Sequence, residues 1–371
     1  MLNYEFPPLG GGAGNATYYL LKEFSNHRDL KIDLITSSVD TYKHHVFAPN
    51  INIHFLDIGK KGNLHYQSEA NLIKYSWGAY RFAKKLKQKN DYGLIHAFFG
   101  IPCGYVAKLL KLPYLVSLRG SDVPYYNPRF KFLDKVIFQR LSRSIWEKAA
   151  QVTTNSEGLK KLALQTYPEK NIQVIYNGVD VKEFQSNSAT KSFNIISTSR
   201  FIRRKGIEYL IKGFADFYKK YQTGILILVG SGNLEQELKD LVKKFDLDTV
   251  VDFRGTASHE QISHIYREAD IYVLPSLNEG MSNSVLEAMA SSQPIIATDT
   301  GGTKELIDST NGFIIQKQNS HDIFQALEKL YLDKNLRTQM GQASRKKAEQ
   351  LSWNKMADQY LSLYTKHAKL A

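Results

Sequence analysis

The clearest alternation of hydrophobic and polar positions in this chain runs from residue 271 to residue 298. Residues 271–274 form an apolar, β-branched run that predicts a buried strand. Residues 284–290 are helix formers with apolar side chains on one helix face, and residues 294–298 predict a second buried strand. Strand, helix and strand make a βαβ unit, whose parallel sheet binds ligands at the carboxyl ends of its strands.

Similar strand-like runs alternate with helical segments along the rest of the chain. They lie at residues 32–36, 51–56, 94–97, 112–118, 151–156, 193–199, 225–232 and 250–256. This alternation predicts an α/β fold. At 371 residues the chain is long enough for two domains, and the polar stretch at residues 185–192 favours a boundary near residue 183. We therefore predict domains at residues 1–182 and 183–351, followed by a last helix within residues 352–371.

The composition is that of a folded protein, with 43% hydrophobic and 23% charged residues. The single cysteine, Cys103, excludes an intramolecular disulfide and fits a reducing compartment. No apolar run approaches the roughly 20 residues that span a bilayer. The first four residues lack the basic and apolar segments of a signal peptide. We therefore expect a cytoplasmic protein.

The net charge of +13 is concentrated in the first half of the chain. Residues 1–180 hold 24 Lys and Arg against 14 Asp and Glu, and residues 181–371 hold 25 against 22. A basic first half suggests a polyanion or an anionic membrane as partner. We expect no nucleic acid, because no helix-turn-helix, zinc-finger or RNP-type pattern is visible.

Two carboxylates, Glu279 and Glu287, flank the start of the helix in the βαβ unit. Ser282 or Asn283 can cap this helix, and the N–H groups at a helix start suit an anion such as phosphate. Carboxylates beside a phosphate site can accept hydrogen bonds from the hydroxyls of a phosphorylated sugar. The alternative is an ordinary surface Glu followed by a helix Glu.

Two loops elsewhere also have the residues of an anion site. Residues 200–206, Arg-Phe-Ile-Arg-Arg-Lys-Gly, place cations between a predicted strand and a predicted helix. Residues 10–15, Gly-Gly-Gly-Ala-Gly-Asn, precede another helix, and glycines let the backbone approach a ligand closely. The alternatives are a solvated basic loop and an ordinary flexible loop.

These motifs together resemble glycosyltransferase family 4. The Glu-x7-Glu pair is preceded by Pro-Ser and followed by Ala-Met-Ala, and residues 7–12 read Pro-Pro-x-Gly-Gly-Gly. The resemblance covers nearly the whole chain. It implies a retaining enzyme of GT-B architecture, with two Rossmann-like domains, an interdomain cleft, and the last helix crossing back onto the first domain. One departure is the short first strand, for which we expect an upstream start or a tolerated short strand.

The resemblance also implies site residues for a nucleotide-diphosphate sugar. Arg200 and Lys205 would stabilise the leaving diphosphate, Glu279 would position sugar hydroxyls, and Glu287 would accept from the ribose hydroxyls. The remaining donor-binding residues would be Gly11, Gly12, Gly255, Gly280, Met281 and Ser282. We expect no cofactor and no metal, because the two cations can take a metal's place and no Asp-x-Asp or His cluster is present.

On the acceptor side, the resemblance implies roles for Asn15, His96, Arg119 and Asp122. Many relatives carry His where Arg119 stands. Arg cannot act as a general base at neutral pH, so we expect Arg119 to bind phosphate or the acceptor, and include it among the catalytic residues. The alternatives are a structural pair between Arg119 and Asp122, and a His96 that is a satisfied structural residue.

The implied reaction moves a sugar from a nucleotide-diphosphate sugar to a hydroxyl of a glycan or lipid-linked acceptor. Such an enzyme would serve cell-envelope polysaccharide or lipopolysaccharide synthesis. A nucleotide-sugar epimerase and a catalytically silent nucleotide-sugar-binding protein remain alternatives. A dinucleotide oxidoreductase is disfavoured, because no strand-linked Gly-x-Gly-x-x-Gly is followed by an acid at the usual distance.

The basic first half predicts peripheral contact with an anionic membrane. Its basic positions include Lys60 and Lys61 and the helix between Lys74 and Lys89. Residues 125–132 interleave aromatic with basic side chains, which suits a membrane interface. The alternative is a solvated basic surface whose aromatic side chains turn into the core.

Overall fold

The structure, a computed structural model, describes residues 1–60, 68–127, 131–185 and 193–369. It divides the chain into two compact units, and each has its own sheet. Unit 1 comprises Met1–Asn177 and Trp353–Ala371, and unit 2 comprises Gly178–Ser352.

The sheet of unit 1 is built from mostly buried strands, and the exception is the exposed strand β2. Its strands are β1 (Ile32–Ser37), β2 (Lys43–Ala48), β3 (Ile51–Leu56), β4 (Ile95–Phe98), β5 (Tyr114–Leu118), β6 (Gln151–Thr154) and β7 (Ile172–Val174). The strands pair in the orders β1-β3-β2 and β4-β5-β6-β7. Every pair is parallel except β2 with β3, so β2 is an antiparallel edge strand.

The first residues of the chain join these two groups of strands. Leu2 forms parallel bridges to Ile35 on one side and to Ala97 on the other. The Leu2 N–H donates to the His96 carbonyl at 2.9 Å, and the Phe98 N–H donates to the Leu2 carbonyl at 2.9 Å. Leu2 is buried. The first strand is therefore as short as the sequence predicted, yet it is paired on both edges.

The helices of unit 1 cover both faces of this sheet. They are α1 (Gly12–Phe24), α2 (Glu69–Lys89), α3 (Tyr105–Leu109), α4 (Lys131–Leu133), α5 (Gln139–Lys148), α6 (Glu157–Leu164) and α14 (Trp353–His367), with π-helical turns at Gly100–Gly104 and Asp134–Phe138. The last helix, α14, packs against α1, and the Trp353 ring stacks on the Tyr19 ring with centroids 4.8 Å apart. In the part of the chain that is described, no helix is both long and apolar enough to cross a bilayer.

Unit 2 has a fully parallel sheet in the order β10-β9-β8-β11-β12-β13. Its strands are β8 (Asn194–Thr198), β9 (Ile225–Val229), β10 (Val251–Phe253), β11 (Ile271–Leu274), β12 (Ile295–Thr298) and β13 (Gly312–Ile315). Its helices are α7 (Ile207–Tyr221), α8 (Glu235–Lys244), α9 (His259–Arg267), α10 (Asn283–Ala290), α11 (Thr303–Leu306), α12 (Ser320–Leu332) and α13 (Lys334–Ala348).

The strand order of unit 2 reverses between β8 and β11. Ligands of open α/β sheets bind at such a switch point, outside the carboxyl ends of the strands. The loop after β8 and the loop after β11 both leave the sheet there. These loops contain the basic segment at residues 200–206 and the segment around Glu279. The candidate site therefore lies at this switch point.

The first boundary between the units lies between Asn177 and Gly178, earlier than the predicted one. The Val179 N–H donates to the Leu351 carbonyl at 2.9 Å. Phe184 is buried, and its ring packs on that of Tyr266. These contacts attach the segment after Asn177 to unit 2. The second boundary, between Ser352 and Trp353, lies one residue after the predicted end at 351. The polar stretch at residues 186–192 lies outside the described residues.

Candidate active site

The two loops at the switch point of unit 2 are bound tightly to each other. The Leu277 N–H donates to the Arg204 carbonyl at 2.7 Å, and the Arg204 guanidinium donates to the Asn278 carbonyl at 3.3 Å. Gly206 has a positive φ of 64°, and a Cβ there would lie 2.3 Å from the Pro275 carbonyl oxygen. Only glycine fits that position, because both the backbone conformation and the space exclude a side chain.

This packing brings Lys205 and Glu279 into a largely buried ion pair. Their side chains are each 12% exposed, and Lys205 Nζ contacts Glu279 Oε1. The Ser276 hydroxyl donates to the same carboxylate oxygen at 2.8 Å. The sequence placed both residues at the donor site, and the structure joins two positions that lie far apart along the chain.

The ion pair sets the charge of both groups. Burial lowers the pKa of Lys205, and Glu279 opposes part of that effect. Burial would raise the pKa of Glu279, but Lys205 and Arg204 hold that pKa below its usual value. Glu279 is therefore a carboxylate at neutral pH, able to accept hydrogen bonds from hydroxyl groups.

A third loop completes the surroundings of Glu279. Gly301 has a positive φ, and a Cβ there would lie 1.9 Å from the Glu279 carbonyl oxygen. The Gly302 N–H donates to the Gly280 carbonyl at 3.0 Å. These loops enclose a small pocket lined by Leu274, Glu279, Gly280, Ser282, Val285, Thr300, Gly302, Thr303, Leu306 and Ile307. The pocket offers hydroxyl and backbone groups beside one carboxylate.

Helix α10 starts at this pocket. Ser282 holds the N-cap position, and its hydroxyl lies 3.0 Å from that of Ser284. Ser282, one of the two predicted caps, is thus the N-cap residue, but its side chain makes no capping hydrogen bond to a backbone N–H. Met281 is buried and anchors the loop. The start of α10 points its positive dipole end at the pocket.

Glu287 lies one helical turn further along α10 and is partly buried. The Tyr266 hydroxyl donates to Glu287 Oε2 at 3.0 Å. Burial raises the pKa of Glu287 to about 7, Tyr266 opposes part of that rise, and Glu183 adds to it. Sequence reasoning missed Tyr266 and Glu183, since neither lies in a recognisable motif.

Arg200 and Gly255 follow β8 and β10, two strands of the same sheet that are separated by β9. Arg200 leaves the end of β8 with a partly buried side chain, and its carbonyl accepts the Ile202 N–H at 2.9 Å. Gly255 follows β10 with a positive φ of 64°, and a Cβ there would meet nothing within 4 Å. Both predicted donor residues therefore lie at the carboxyl edge of the sheet, and the space beside Gly255 is open.

In unit 1, the glycine-rich loop wraps around a carboxylate that sequence reasoning missed. Glu5 Oε2 accepts the Gly11 N–H at 3.3 Å, and a Cβ on Gly10 would lie 2.6 Å from the Glu5 side chain. Helix α1 then begins at Gly12, and Asn15 on its first turn is exposed. Glu5 therefore occupies part of the space next to Gly11 in which a ligand anion was expected.

The predicted acceptor role of Asp122 does not fit the structure. The buried Asp122 carboxylate accepts backbone N–H groups of Gly100 at 2.7 Å, Arg119 at 2.9 Å and Gly120 at 2.9 Å. Burial raises the pKa of Asp122, and these N–H groups oppose the rise. Asp122 therefore organises the loop backbone. The alternative of a side-chain pair with Arg119 is also wrong, because only the Arg119 backbone is bound.

The Arg119 side chain has other partners. Its Nη1 donates to Asn177 Oδ1 at 2.9 Å, and its guanidinium lies 4.6 Å from the centroid of the Phe98 ring. Burial lowers the pKa of Arg119, yet arginine stays charged in proteins. Arg119 is thus a partly buried cation at the end of β5.

His96 is a structural residue, so its predicted contact with the acceptor does not fit. Its Nδ1 lies 2.6 Å from the Tyr364 hydroxyl and its Nε2 lies 2.7 Å from the Ser117 hydroxyl. Burial lowers the pKa of His96 well below its usual value, so the ring is neutral. The same network includes the Tyr360 hydroxyl, 2.9 Å from that of Ser117, and ties α14 to the sheet of unit 1.

We expect that replacing Asp122 with alanine will destabilise unit 1 and leave the KM for a donor substrate unchanged. Three N–H groups in buried or partly buried hydrogen bonds would lose their acceptor, and each such loss typically destabilises a protein by about 1–3 kcal/mol. Urea unfolding of the variant measures the effect, with Asp91→Asn, an exposed carboxylate of the same unit, as control. Unchanged stability would show that Asp122 does not hold the loop.

Some of the residues predicted to contact a membrane are exposed in the structure, and others are not. Lys60 is buried, and burial lowers the pKa of its ammonium group, so it is no surface cation. Tyr125 and Tyr126 are half-buried, and the Tyr125 hydroxyl donates to Gln139 Oε1 at 3.2 Å. Lys61 and residues 128–130 lie outside the described residues. The basic side chains of α2, in contrast, are exposed.

Among the residues described, no group of three or more His, Cys, Asp or Glu is arranged to hold a metal ion.

Two family models match the chain, and together they span residues 10–347. The model described as Glycosyltransferase Family 4 matches residues 10–183. The model described as Glycosyl transferases group 1 matches residues 178–347. The first match lies mainly in unit 1 and the second in unit 2.

Relatives and solved structures agree with these matches. An uncharacterized glycosyltransferase of Methanocaldococcus jannaschii is 26% identical over 96% of this chain and 94% of its own length. The N-acetyl-alpha-D-glucosaminyl L-malate synthase of Bacillus anthracis is 24% identical over 96% and 94%. Sucrose-phosphate synthase from Thermosynechococcus elongatus has a TM-score of 0.85 at 22% identity, covering 98% of this chain and 97% of that one. Anabaena HepE in complex with UDP-glucose has a TM-score of 0.75 at 17% identity, covering 98% of both chains.

Proposed function

The chain belongs to the family-4 glycosyltransferases and has the GT-B fold of two Rossmann-like domains, and we propose that it is a retaining enzyme using a nucleotide-diphosphate sugar. The observation that carries this proposal is the convergence of Arg200, Lys205, Glu279 and Glu287 on the switch point of unit 2. The cations for a diphosphate and the carboxylate for sugar hydroxyls lie on loops that are bound to one another, and the carboxylate for ribose hydroxyls lies on the helix that follows. A protein of similar structure, Anabaena HepE, has been solved in complex with UDP-glucose, which supports this choice of donor.

The chemistry of the leaving group explains the cations. When the bond to the sugar breaks, negative charge accumulates on the departing diphosphate. Fixed positive charge at that position lowers the barrier, and one such donor is typically worth about 3 kcal/mol. Arg200, Lys205 and the start of α10 supply this charge in our proposal.

The ion pair between Lys205 and Glu279 gives the donor a defined place to bind. In our proposal, the β-phosphate of the donor replaces Glu279 as the partner of Lys205. The sugar hydroxyls replace Lys205 as the partners of Glu279. Each group exchanges one polar partner for another, so neither is left buried without a partner. Glu287 binds the ribose hydroxyls, and Gly255 leaves room for the base.

We place the acceptor hydroxyl on a glycan or a lipid-linked saccharide of the cell envelope. The enzyme would act in the cytoplasm with peripheral contact to an anionic membrane. The positive charge of residues 1–180 supports this contact. Arg119 is the unit 1 cation that we propose for an anionic group of the acceptor.

Nucleoside diphosphate release from a panel of nucleotide sugars tests the proposed function. We expect one or a few donors to give release that an added acceptor accelerates, with a new glycoside as product. Interconversion of the nucleotide sugar without release would instead identify an epimerase. Tight binding without any turnover would identify a silent binding protein.

We further expect that EDTA will leave the activity within about twofold of the untreated enzyme, because protein cations rather than a metal ion neutralise the leaving phosphate. The measurement is the rate of diphosphate release after dialysis against EDTA, followed by addition of Mg²⁺ or Mn²⁺. Loss of activity that either ion restores would contradict this metal-free assignment.

A further inference from the structure

Unit 1 exposes an apolar stripe on the helical segment that contains α4, the π-helical turn and α5. Phe132 is 77% exposed, Val136 is 46% exposed and Ile137 is 51% exposed. In this first half of the segment Asp134 is buried, and further along α5 is buried through Ser142, Ile145 and Trp146. The first half thus presents large apolar side chains to solvent, which is unusual for a helix at a protein surface.

Other helices of unit 1 also expose apolar side chains. Helix α3 contacts both α2 and α5, and the Lys87 ammonium donates to the Leu110 carbonyl at 3.0 Å. Right-handed crossovers place α2, α3 and α5 on one face of the sheet. On that face α2 exposes Ile73 and Trp77, at 69% and 64%, and α3 exposes Leu109. We call the six residues Ile73, Trp77, Leu109, Phe132, Val136 and Ile137 the apolar face.

The exposed charges around the apolar face are mostly of one sign. The exposed basic residues on α2 and on the segment with α5 are Lys74, Arg81, Lys84, Lys85, Lys87, Lys89, Lys135, Arg140, Arg143 and Lys148. Among the described side chains of these elements, the exposed acids are Glu69 and Glu147. The Arg81 guanidinium lies 4.4 Å from the centroid of the Trp77 ring, so a cation and an aromatic ring are exposed side by side.

We infer that the apolar face docks on an anionic lipid surface, with Trp77, Phe132 and Ile137 entering the headgroup region. The basic side chains around them then contact lipid phosphates. This inference deepens the proposed function. It rests on that function only in explaining why the enzyme would dock, since a lipid-linked acceptor would lie in the membrane. A second copy of the chain is a poorer occupant, because a symmetric contact would oppose cations to cations.

Sedimentation of the full-length protein with vesicles tests this docking. The vesicles are phosphatidylcholine alone, or phosphatidylcholine mixed with phosphatidylglycerol. We expect binding to the mixed vesicles only, weakening steeply as salt rises. Absence of binding to the mixed vesicles at low salt, or equal binding to both compositions, would overturn the inference.

Two variants separate the apolar and the electrostatic contributions. Phe132→Ser with Val136→Ser and Ile137→Ser removes apolar contacts, and Lys84→Glu with Lys85→Glu reverses charge. Each should weaken binding to the mixed vesicles by at least about tenfold. The matched controls in unit 2 are Leu332→Ser, at an apolar residue that is 65% exposed, and Lys243→Glu with Lys244→Glu on α8. These controls should bind like the wild type.

Further measurements keep the outcomes distinct. Light scattering should show the same mass for the wild type and the triple variant. A dimer that the triple variant abolishes would assign the apolar face to a second copy and overturn the inference. Diphosphate release in solution should be unchanged in all four variants. If no donor gives release while vesicle binding persists, the proposed function fails and this inference stands.

Discussion

Replacing Lys205 with alanine is expected to lower kcat by roughly 10²–10³-fold, because the leaving diphosphate loses a cation that acts as its charge develops. Lys205 is positioned for this role by its buried contact with Glu279 and by the close approach of Gly206 to Pro275. The measurement is donor-dependent diphosphate release with the best donor of the panel. Near-normal activity in a soluble, folded variant would refute the diphosphate assignment.

The same substitution should also destabilise unit 2, because Glu279 would be left buried without its cation. Breaking a buried ion pair in this way typically destabilises a protein by about 3–5 kcal/mol. The double variant Lys205→Ala with Glu279→Gln removes the unpaired charge. It should recover stability in urea unfolding without recovering activity. Lys304→Ala is the matched control, because that lysine pairs with Asp299 at the exposed surface of the same unit.

Replacing Glu287 with glutamine is expected to weaken donor binding by about 10²-fold, since an amide cannot accept two ribose hydroxyls as a carboxylate does. The raised pKa of Glu287, about 7, adds a pH dependence to the wild type. Below pH 7 the free enzyme is protonated at Glu287, so the KM for the donor should rise as the pH falls from 8 to 6. The variant should lack this rise. A KM that is flat with pH in the wild type would show that Glu287 does not contact the donor as a carboxylate.

Although Glu287→Gln should weaken donor binding, it should stabilise the folded protein at high pH. The pKa of Glu287 rises from 4.5 in the unfolded chain to about 7 in the folded protein, so the folded state binds the proton more tightly. The wild type therefore loses stability as the pH rises from 4.5 through 7. Above pH 7 the loss amounts to at most about 3 kcal/mol. Glu287→Gln should thus be more stable than the wild type in urea at pH 8, and equal to it near pH 4.5. A less stable variant at pH 8 would contradict the raised pKa.

The sequence was sufficient to predict the α/β class and the family, because those depend on local patterns. The βαβ unit from Ile271 to Thr298 is read from hydrophobic periodicity alone, and β11, α10 and β12 lie close to the predicted segments. For Gly206 and Gly301, the sequence shows the residue but not the reason for it. Glycine in a loop is visible in the sequence, but its reason, the approach of the Pro275 and Glu279 carbonyls, appears only in the fold.

Contacts between distant residues could not be predicted in the same way. Tyr266 reaches Glu287 from another helix, and no local motif marks it. The resemblance implied acceptor-side roles for His96 and Asp122, yet in the structure both side chains are buried against partners from other parts of unit 1. A polar residue at the end of a strand has the same local sequence whether it faces a ligand or a buried hydroxyl. Its partners decide the role, and they come from other parts of the chain.

The anomeric configuration of the product shows whether the enzyme is a retaining transferase. An α-linked nucleotide sugar chosen from the panel is incubated with enzyme and acceptor, and the anomeric proton of the new glycoside is followed by NMR. The product is a glycoside and does not equilibrate between anomers, so its first appearance reports the enzymatic step. We expect an α-linked product that forms in step with nucleoside diphosphate, and that forms at least about 10²-fold more slowly with Lys205→Ala. A β-linked product would contradict the assignment of a retaining transferase.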